Sequence, residues 1–163
     1  MSHGMNEDLP HGIKFILDVH LGKLARNLRL LGFDSYWNST LEDPEIISIS
    51  LSEKRTILTR DKGLLNNSLA SDGFRILSQK PADQLAEVVE RFGLKEKALP
   101  FTRCLECNGK LKKVPKEMVT GRLYPGTIQY YSEFMECEDC GRIYWEGSHY
   151  ERMRKFVDSV IKM

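Results

Sequence analysis

IKFILDVHLGKLARNLRLLGFDSYW, residues 13–37, joins two short apolar runs through an amphipathic segment. The run at residues 13–17 predicts a buried β-strand, and the run at residues 33–37 predicts a second one. Between them, leucine and alanine recur at helical spacing over residues 21–31, and Gly32 predicts the end of that helix. Two strands connected through a helix indicate parallel strands of one sheet.

The same alternation of strands and helices continues to residue 92. Asp43 and Pro44 predict the cap and the first position of a helix, and residues 55–59 predict a strand that leads to Asp61. The remaining elements are a short helix containing Leu64, Leu65 and Leu69, a strand at residues 74–77 and a helix at residues 82–92. Strands that alternate with helices predict an α/β fold, with a parallel sheet flanked by helices on both faces.

The four cysteines of the chain form two C-x-x-C pairs, Cys104 with Cys107 and Cys137 with Cys140. Two thiolates separated by two residues can reach one ion, so the two pairs predict a tetrahedral zinc site. Between the pairs lie 29 residues, a spacing that suits a zinc ribbon built from hairpins. Four protein ligands leave no open position, so this zinc is predicted to be structural. The alternative is two disulfides in a secreted protein.

Length and composition fit a globular protein with two parts. The 163 residues suffice for one core and a small metal-stabilised module, and a net charge of +1 does not by itself indicate nucleic acid. We predict an α/β domain at residues 13–98, a zinc ribbon and C-terminal helix at residues 99–163, and a disordered tail at residues 1–12. Ser148 and Glu151 predict a capping box at the start of that last helix.

The sequence offers no segment that addresses the chain to a membrane. Its first twelve residues lack the apolar core of a signal peptide, and no apolar run is long enough to span a bilayer. We therefore predict a cytoplasmic protein with no membrane partner.

Aspartates follow the predicted strands at the points where they end. Asp18 follows the first strand, Asp61 follows the third, and Asp43 comes shortly after the second. Ligands of open parallel sheets bind beyond the carboxyl ends of the strands, and converging carboxylates repel one another unless a cation lies between them. Oxygen ligands suit Mg²⁺ or Mn²⁺, which can activate water and stabilise charge on a phosphate. The alternative for Asp43 and Asp61 is helix capping.

Cationic and aromatic side chains supply candidate contacts to a phosphate backbone. Lys23, Arg26 and Arg29 recur on the side of the first helix that lacks leucine, and Arg60 precedes Asp61. Six further basic residues lie between Arg103 and Arg122. Such cations hold phosphates or form a solvated face. The aromatic pairs Tyr144–Trp145 and His149–Tyr150 stack bases or pack the ribbon onto its neighbour.

Seven runs of sequence carry a family resemblance. They are KFILD at 14–18, LGKLARNLR at 21–29, LGFD at 31–34, ILTRD at 57–61, RCLECNG at 103–109, CGRIYW at 140–145 and GSHY at 147–150. In this order they resemble the Mut-seven C-terminal ribonuclease domains, which are PIN-like nucleases followed by a zinc ribbon. The resemblance covers nearly all of residues 13–156.

This resemblance implies a PIN-like nuclease domain at residues 13–98 that cleaves RNA with a divalent metal ion. It makes Asp18 and Asp61 the core acids and Asp43 a third acidic position. Related sites have a fourth acid soon after the position of Asp61, where this chain has Lys62 and Gly63. Two alternatives stay open: an RNA- or ribosome-associated binding module on a decayed nuclease fold, and a protein-interaction adaptor with an exposed apolar ribbon face.

Overall fold

The structure, a computed structural model, describes residues 12–67 and 73–162. The tail predicted at residues 1–12 lies outside the described residues except for Gly12, and so does Leu69 of the predicted short helix. Within the described residues, no helix combines the length and the apolar character needed to cross a bilayer.

A four-stranded parallel sheet forms the first layer. Its strands are β1 (Lys14–Leu17), β2 (Asp34–Tyr36), β3 (Thr56–Thr59) and β4 (Gly73–Arg75), in the spatial order β2-β1-β3-β4. Because every pair is parallel, the carboxyl ends of all four strands lie along one edge of the sheet, which we call the carboxyl edge.

Four helices cover the two faces of this sheet: α1 (Gly22–Leu30), α2 (Asp43–Glu53), α3 (Lys62–Leu65) and α4 (Pro81–Phe92). Successive side chains of a strand point to opposite faces. Phe15 and Leu17 accordingly pack in a core with α1 and α4, whereas Ile16 packs in a second core with α2 and α3. The predicted α/β class, with helices on both faces, is confirmed.

The linker between α4 and the ribbon, residues 93–101, packs closely against the end of α1, where Gly32 has a φ of +94°. A Cβ at Gly32 would lie 2.3 Å from the carbonyl oxygen of Leu99, so glycine is required both for the backbone angle and for the contact. The backbone N–H groups of Leu99 and Phe101 donate to the carbonyls of Leu31 and Leu30. The linker thereby satisfies carbonyls that the end of the helix leaves open.

A second, antiparallel sheet forms the ribbon. Its strands are β5 (Leu111–Val114), β6 (Phe134–Cys137) and β7 (Ile143–Tyr144), in the order β5-β6-β7, with helix α5 (Pro125–Tyr130) between β5 and β6. Phe134 is buried in the ribbon, but Tyr130 is 81% exposed.

The last helix, α6 (Ser148–Ile161), packs against the first layer. Its Val157 belongs to the same buried core as Phe15 and Leu17, and Leu105 of the first cysteine pair joins that core as well. The ribbon and α6 thus share a hydrophobic core with the sheet of residues 13–98.

Two predicted helix caps differ from the structure. Glu42, not Asp43, caps α2, because its carboxylate accepts from the backbone of Glu45 while the Glu45 carboxylate accepts from the backbone of Glu42. At the start of α6, Gly147 occupies the cap position, where it has no side chain to accept a hydrogen bond. Ser148 is the first helical residue, so the predicted capping box is absent there.

Candidate active site and metal centre

Asp18 and Asp61 follow adjacent strands and are connected through the side chain of Thr59. The Thr59 hydroxyl donates to Asp18 Oδ2 over 2.5 Å and accepts from the backbone N–H of Asp61 over 2.9 Å. The other oxygen of Asp18, Oδ1, accepts from the backbone N–H of His20 over 2.9 Å. These bonds fix the orientation of an Asp18 carboxylate that is only 7% exposed.

The pairing of β1 with β3 produces this arrangement. Leu17 lies opposite Leu58, and the backbone N–H of Asp18 donates to the carbonyl of Leu58. Thr59 is fully buried, so its hydroxyl must find protein partners. Sequence reasoning located the two acids but missed Thr59, because a threonine at the end of a strand carries no signal of its own.

Asp61 and Asp43 lie at the same carboxyl edge and are both exposed. Asp61 Oδ1 accepts from the backbone N–H of Gly63 over 2.8 Å and so caps α3, as the capping alternative predicts. Asp43, the first residue of α2, lines a groove of about 450 Å³ together with Gly63. Among the residues that the structure describes, none donates a hydrogen bond to the other carboxylate oxygen of Asp61, Oδ2.

The three carboxylates do not form a closed set. In the part of the chain that the structure describes, the four cysteines are the only group of three or more Cys, His, Asp and Glu residues with ligand atoms within 4.8 Å of one another. Asp18, Asp43 and Asp61 are thus neighbours along an edge, and any cation shared among them would need further ligands from outside the chain.

Three of the predicted cations are exposed near this edge, namely Lys23, Arg26 and Arg60. Arg26 forms an ion pair with Glu106 over 2.5 Å, and both side chains are nearly half exposed. The hydrogen bond from Arg26 lowers the pKa of the Glu106 carboxyl. Exposed pairs of this kind contribute about 0–1 kcal/mol, so a phosphate can compete for Arg26.

Arg29 occupies a different position from the one that the helical pattern indicates. It is 4% exposed, and its guanidinium donates to the carbonyls of Ser35 over 3.0 Å and of Leu105 over 2.9 Å. The pattern fails here because it cannot foresee the first cysteine pair, which covers this side of α1. We correct the expectation: Arg29 joins the ribbon to β2 and does not face a substrate.

Asp34 is a partly buried hydrogen-bonding centre that sequence reasoning missed. Its carboxylate accepts from Arg55 over 2.8 Å and from the Asn108 amide over 2.6 Å. Burial raises the pKa of Asp34, but the hydrogen bonds from Arg55 and Asn108 outweigh it, so the pKa lies below its ordinary value. The available signal was a charged residue inside a predicted buried strand, which requires a partner.

The four cysteines converge on one point. Cys104 Sγ lies 3.7 Å from Cys140 Sγ, and Cys107 Sγ lies 3.4 Å from Cys137 Sγ. Tetrahedral zinc with bonds of about 2.3 Å requires sulfurs about 3.8 Å apart, so the cluster is compatible with zinc. All four cysteines are free, so neither disulfide of the alternative interpretation is formed in this structure.

The surroundings of the thiols favour thiolates at Cys104. Burial opposes ionisation, but the Tyr144 hydroxyl, 3.1 Å from Cys104 Sγ, and backbone amides lower the pKa of Cys104 to about 7. Burial raises the pKa of Cys107 to about 12. A Cβ at Gly109 would lie 2.8 Å from Cys137 Sγ, so this turn accepts only glycine without a shift.

Comparison with known proteins places these features in one family. No curated protein matches the chain. The family model described as the Mut7-C RNAse domain matches residues 13–157, a range that contains Asp18, Asp61 and all four cysteines. This match confirms the resemblance seen in the sequence and supports a ribonuclease-type function. The chain belongs to the Mut7-C RNAse domain family.

Proposed function

We propose that the chain hydrolyses phosphodiester bonds within RNA, using Mg²⁺ or Mn²⁺ held at Asp18 and Asp61. One observation carries the proposal: Thr59 joins these two acids at the carboxyl edge, where open α/β sheets bind their ligands. Membership of an RNAse domain family supplies the substrate class. Asp43, on the same edge, is the proposed third acid.

The donor set suits a hard divalent cation. Mg²⁺ is bound through one or two carboxylates plus phosphate oxygens and waters, so two fixed acids suffice once RNA is present. The bound ion would lower the pKa of an attacking water and stabilise charge on the scissile phosphate. Asp18, oriented by Thr59 and His20, holds its carboxylate toward the edge, while Lys23, Arg26 and Arg60 position the flanking phosphates.

The cysteine cluster has a separate role in this proposal. Its four sulfurs leave no vacant position on a zinc ion, so the zinc stabilises the ribbon and takes no part in hydrolysis. The ribbon aids RNA binding. We further propose a cytoplasmic location, where reducing conditions keep cysteines available to zinc.

A second candidate is a binding module that holds RNA without cutting it. It is favoured by the open arrangement of Asp18, Asp43 and Asp61, which do not close into a set of three ligands. Lys62 and Gly63 also stand where a fourth acid would complete the site. Cleavage activity separates the two candidates.

Asp18→Asn is expected to remove cleavage while keeping the fold. The change is nearly isosteric and eliminates the charge that holds the cation, so the rate should fall by about 10²-fold or more. The measurement is cleavage of structured and single-stranded RNAs with Mn²⁺, with circular dichroism as the check on folding.

Asp158→Asn provides the matched control, because the same chemical change is made at a partly exposed position near the end of α6. It should cleave like the parent. Equal activity of Asp18→Asn and the parent would assign the cleavage to another site or to a contaminant. RNA binding by both proteins without any cleavage would support the binding module.

A further inference from the structure

A groove of about 410 Å³ separates the first cysteine pair from the start of α6. Its lining includes Arg26, Glu106, Arg142, His149 and Tyr150. The groove continues along α6 into a smaller cavity of about 190 Å³ that Arg26 and His149 also line, together with Arg152. We call the two cavities together the ribbon groove.

The ribbon groove is basic. Arg26, Arg142, Arg152 and His149 line it, and Glu106 is the only acidic residue among the described residues along its walls. Arg142 and Arg152 are exposed, and no carboxylate in the described chain forms a salt bridge with either of them. Charge complementarity therefore favours a polyanion as the occupant.

Aromatic side chains line the same groove and are held in place by the protein. Tyr150 packs against Phe101 with ring centroids 4.5 Å apart, and the Tyr144 hydroxyl contacts Cys104 Sγ. A Cβ at Gly147 would lie 3.1 Å from the Trp145 ring nitrogen, so glycine there leaves room for this ring position. Fixed aromatic rings between cations are the platform on which unpaired bases stack.

The groove begins close to the proposed active site. Arg26 lies eight residues after Asp18, across one 3₁₀ turn and the first turn of α1, so their Cα atoms are within about 14 Å. Arg26 belongs to α1, the helix that starts at the carboxyl edge, and it also lines the groove. An RNA strand that runs from the carboxyl edge along α1 would reach the groove.

We propose that the ribbon groove binds a single-stranded segment of RNA adjacent to the cleavage point, with phosphates on Arg142 and Arg152 and bases against Tyr150 and Trp145. The inference rests on the proposed function, because it takes RNA as the substrate. It adds a substrate preference: the protein favours RNA whose bases are unpaired next to the phosphodiester bond that is cleaved.

The test measures binding of a fluorescent oligouridylate of about 12 nucleotides and of an RNA duplex of the same length. The protein is the zinc-loaded Asp18→Asn chain, which removes cleavage from the measurement. Arg142→Ala and Arg152→Ala should each weaken binding of the single strand by roughly tenfold and lower the slope of log K against log salt by about 0.7. Lys97→Ala, an equal loss of charge outside the groove, should bind like its parent.

Two results would overturn the ribbon groove. One is unchanged affinity in both arginine variants while the Asp18-containing chain still cleaves RNA, and the other is equal binding of duplex and single strand. Arginine-dependent binding of the single strand supports the groove even if no chain cleaves RNA. That last result would reject the catalytic proposal alone.

Discussion

Two partly buried aspartates show how partners decide the role of a residue. Asp34 is surrounded by cationic and amide donors from Arg55 and Asn108, which stabilise its charge and use its oxygens. Asp18 receives a hydroxyl and one backbone N–H, which orient it but leave lone pairs for a cation. Both stand at a predicted strand, so sequence position alone could not separate the structural acid from the candidate catalytic one.

Asp34→Asn is expected to lower the free energy of unfolding by about 2 kcal/mol at pH 7, because the buried Arg55 guanidinium loses its carboxylate partner. The pKa of Asp34 is lower in the folded than in the unfolded chain. Its contribution is therefore complete above the unfolded pKa of about 3.9 and is lost as the pH falls through the folded value. Urea unfolding at several pH values should show the difference between parent and variant shrinking below about pH 4. A difference that stays constant to pH 3 would contradict this assignment.

At the scale of the elements, the turn that contains the first cysteine pair packs against β2. The sequence could not predict this contact. Asn108, with a φ of +76°, accepts from the backbone N–H of Ser35 over 2.9 Å, while Arg29 donates to the carbonyl of the same residue. Strands and helices could be predicted because their periodicity is local. Asn108 lies 73 residues from Ser35, and Leu105 lies 76 residues from Arg29, so no local pattern contains these two contacts.

Asn108→Gly should cost about 1–3 kcal/mol of stability even though glycine tolerates a positive φ. The loss comes from the side-chain bonds to Ser35 and Asp34, since the backbone angle is no longer a constraint. Thermal or urea unfolding measures it. Asn66→Gly, an exposed position at the end of α3, should change stability by less than about 1 kcal/mol. Equal stability of parent and Asn108→Gly would show that the docking bonds are unimportant.

At the scale of the whole molecule, the ribbon is not an independent appendage. Leu105 from the first cysteine pair and Val157 from α6 lie in the same core as Phe15 and Leu17. The domain boundary between residues 98 and 99 was inferred from sequence composition, and it remains a prediction. Composition does not report which buried side chains contact one another.

Removal of zinc is expected to destabilise the first layer together with the ribbon, because both use that core. A chelator should lower the midpoint of one cooperative thermal transition, and the same shift should appear in tryptophan fluorescence and far-ultraviolet circular dichroism. Cys137→Ser should reproduce the shift without a chelator. Two separate transitions, with only the smaller one sensitive to metal, would instead indicate independent domains.

The contacts of Asn108 and Arg29 with the edge of β2 have a consequence for aggregation. β2 is the outermost strand of its sheet. The N–H and C=O of Ser35 point away from the sheet and are hydrogen-bonded to Asn108 and Arg29. An uncovered strand of this kind is a template for pairing with another chain. Oxidised or metal-depleted thiols would release Asn108 from that edge. The earliest sign of zinc loss should then be self-association, visible as light scattering at temperatures where most of the chain is still folded.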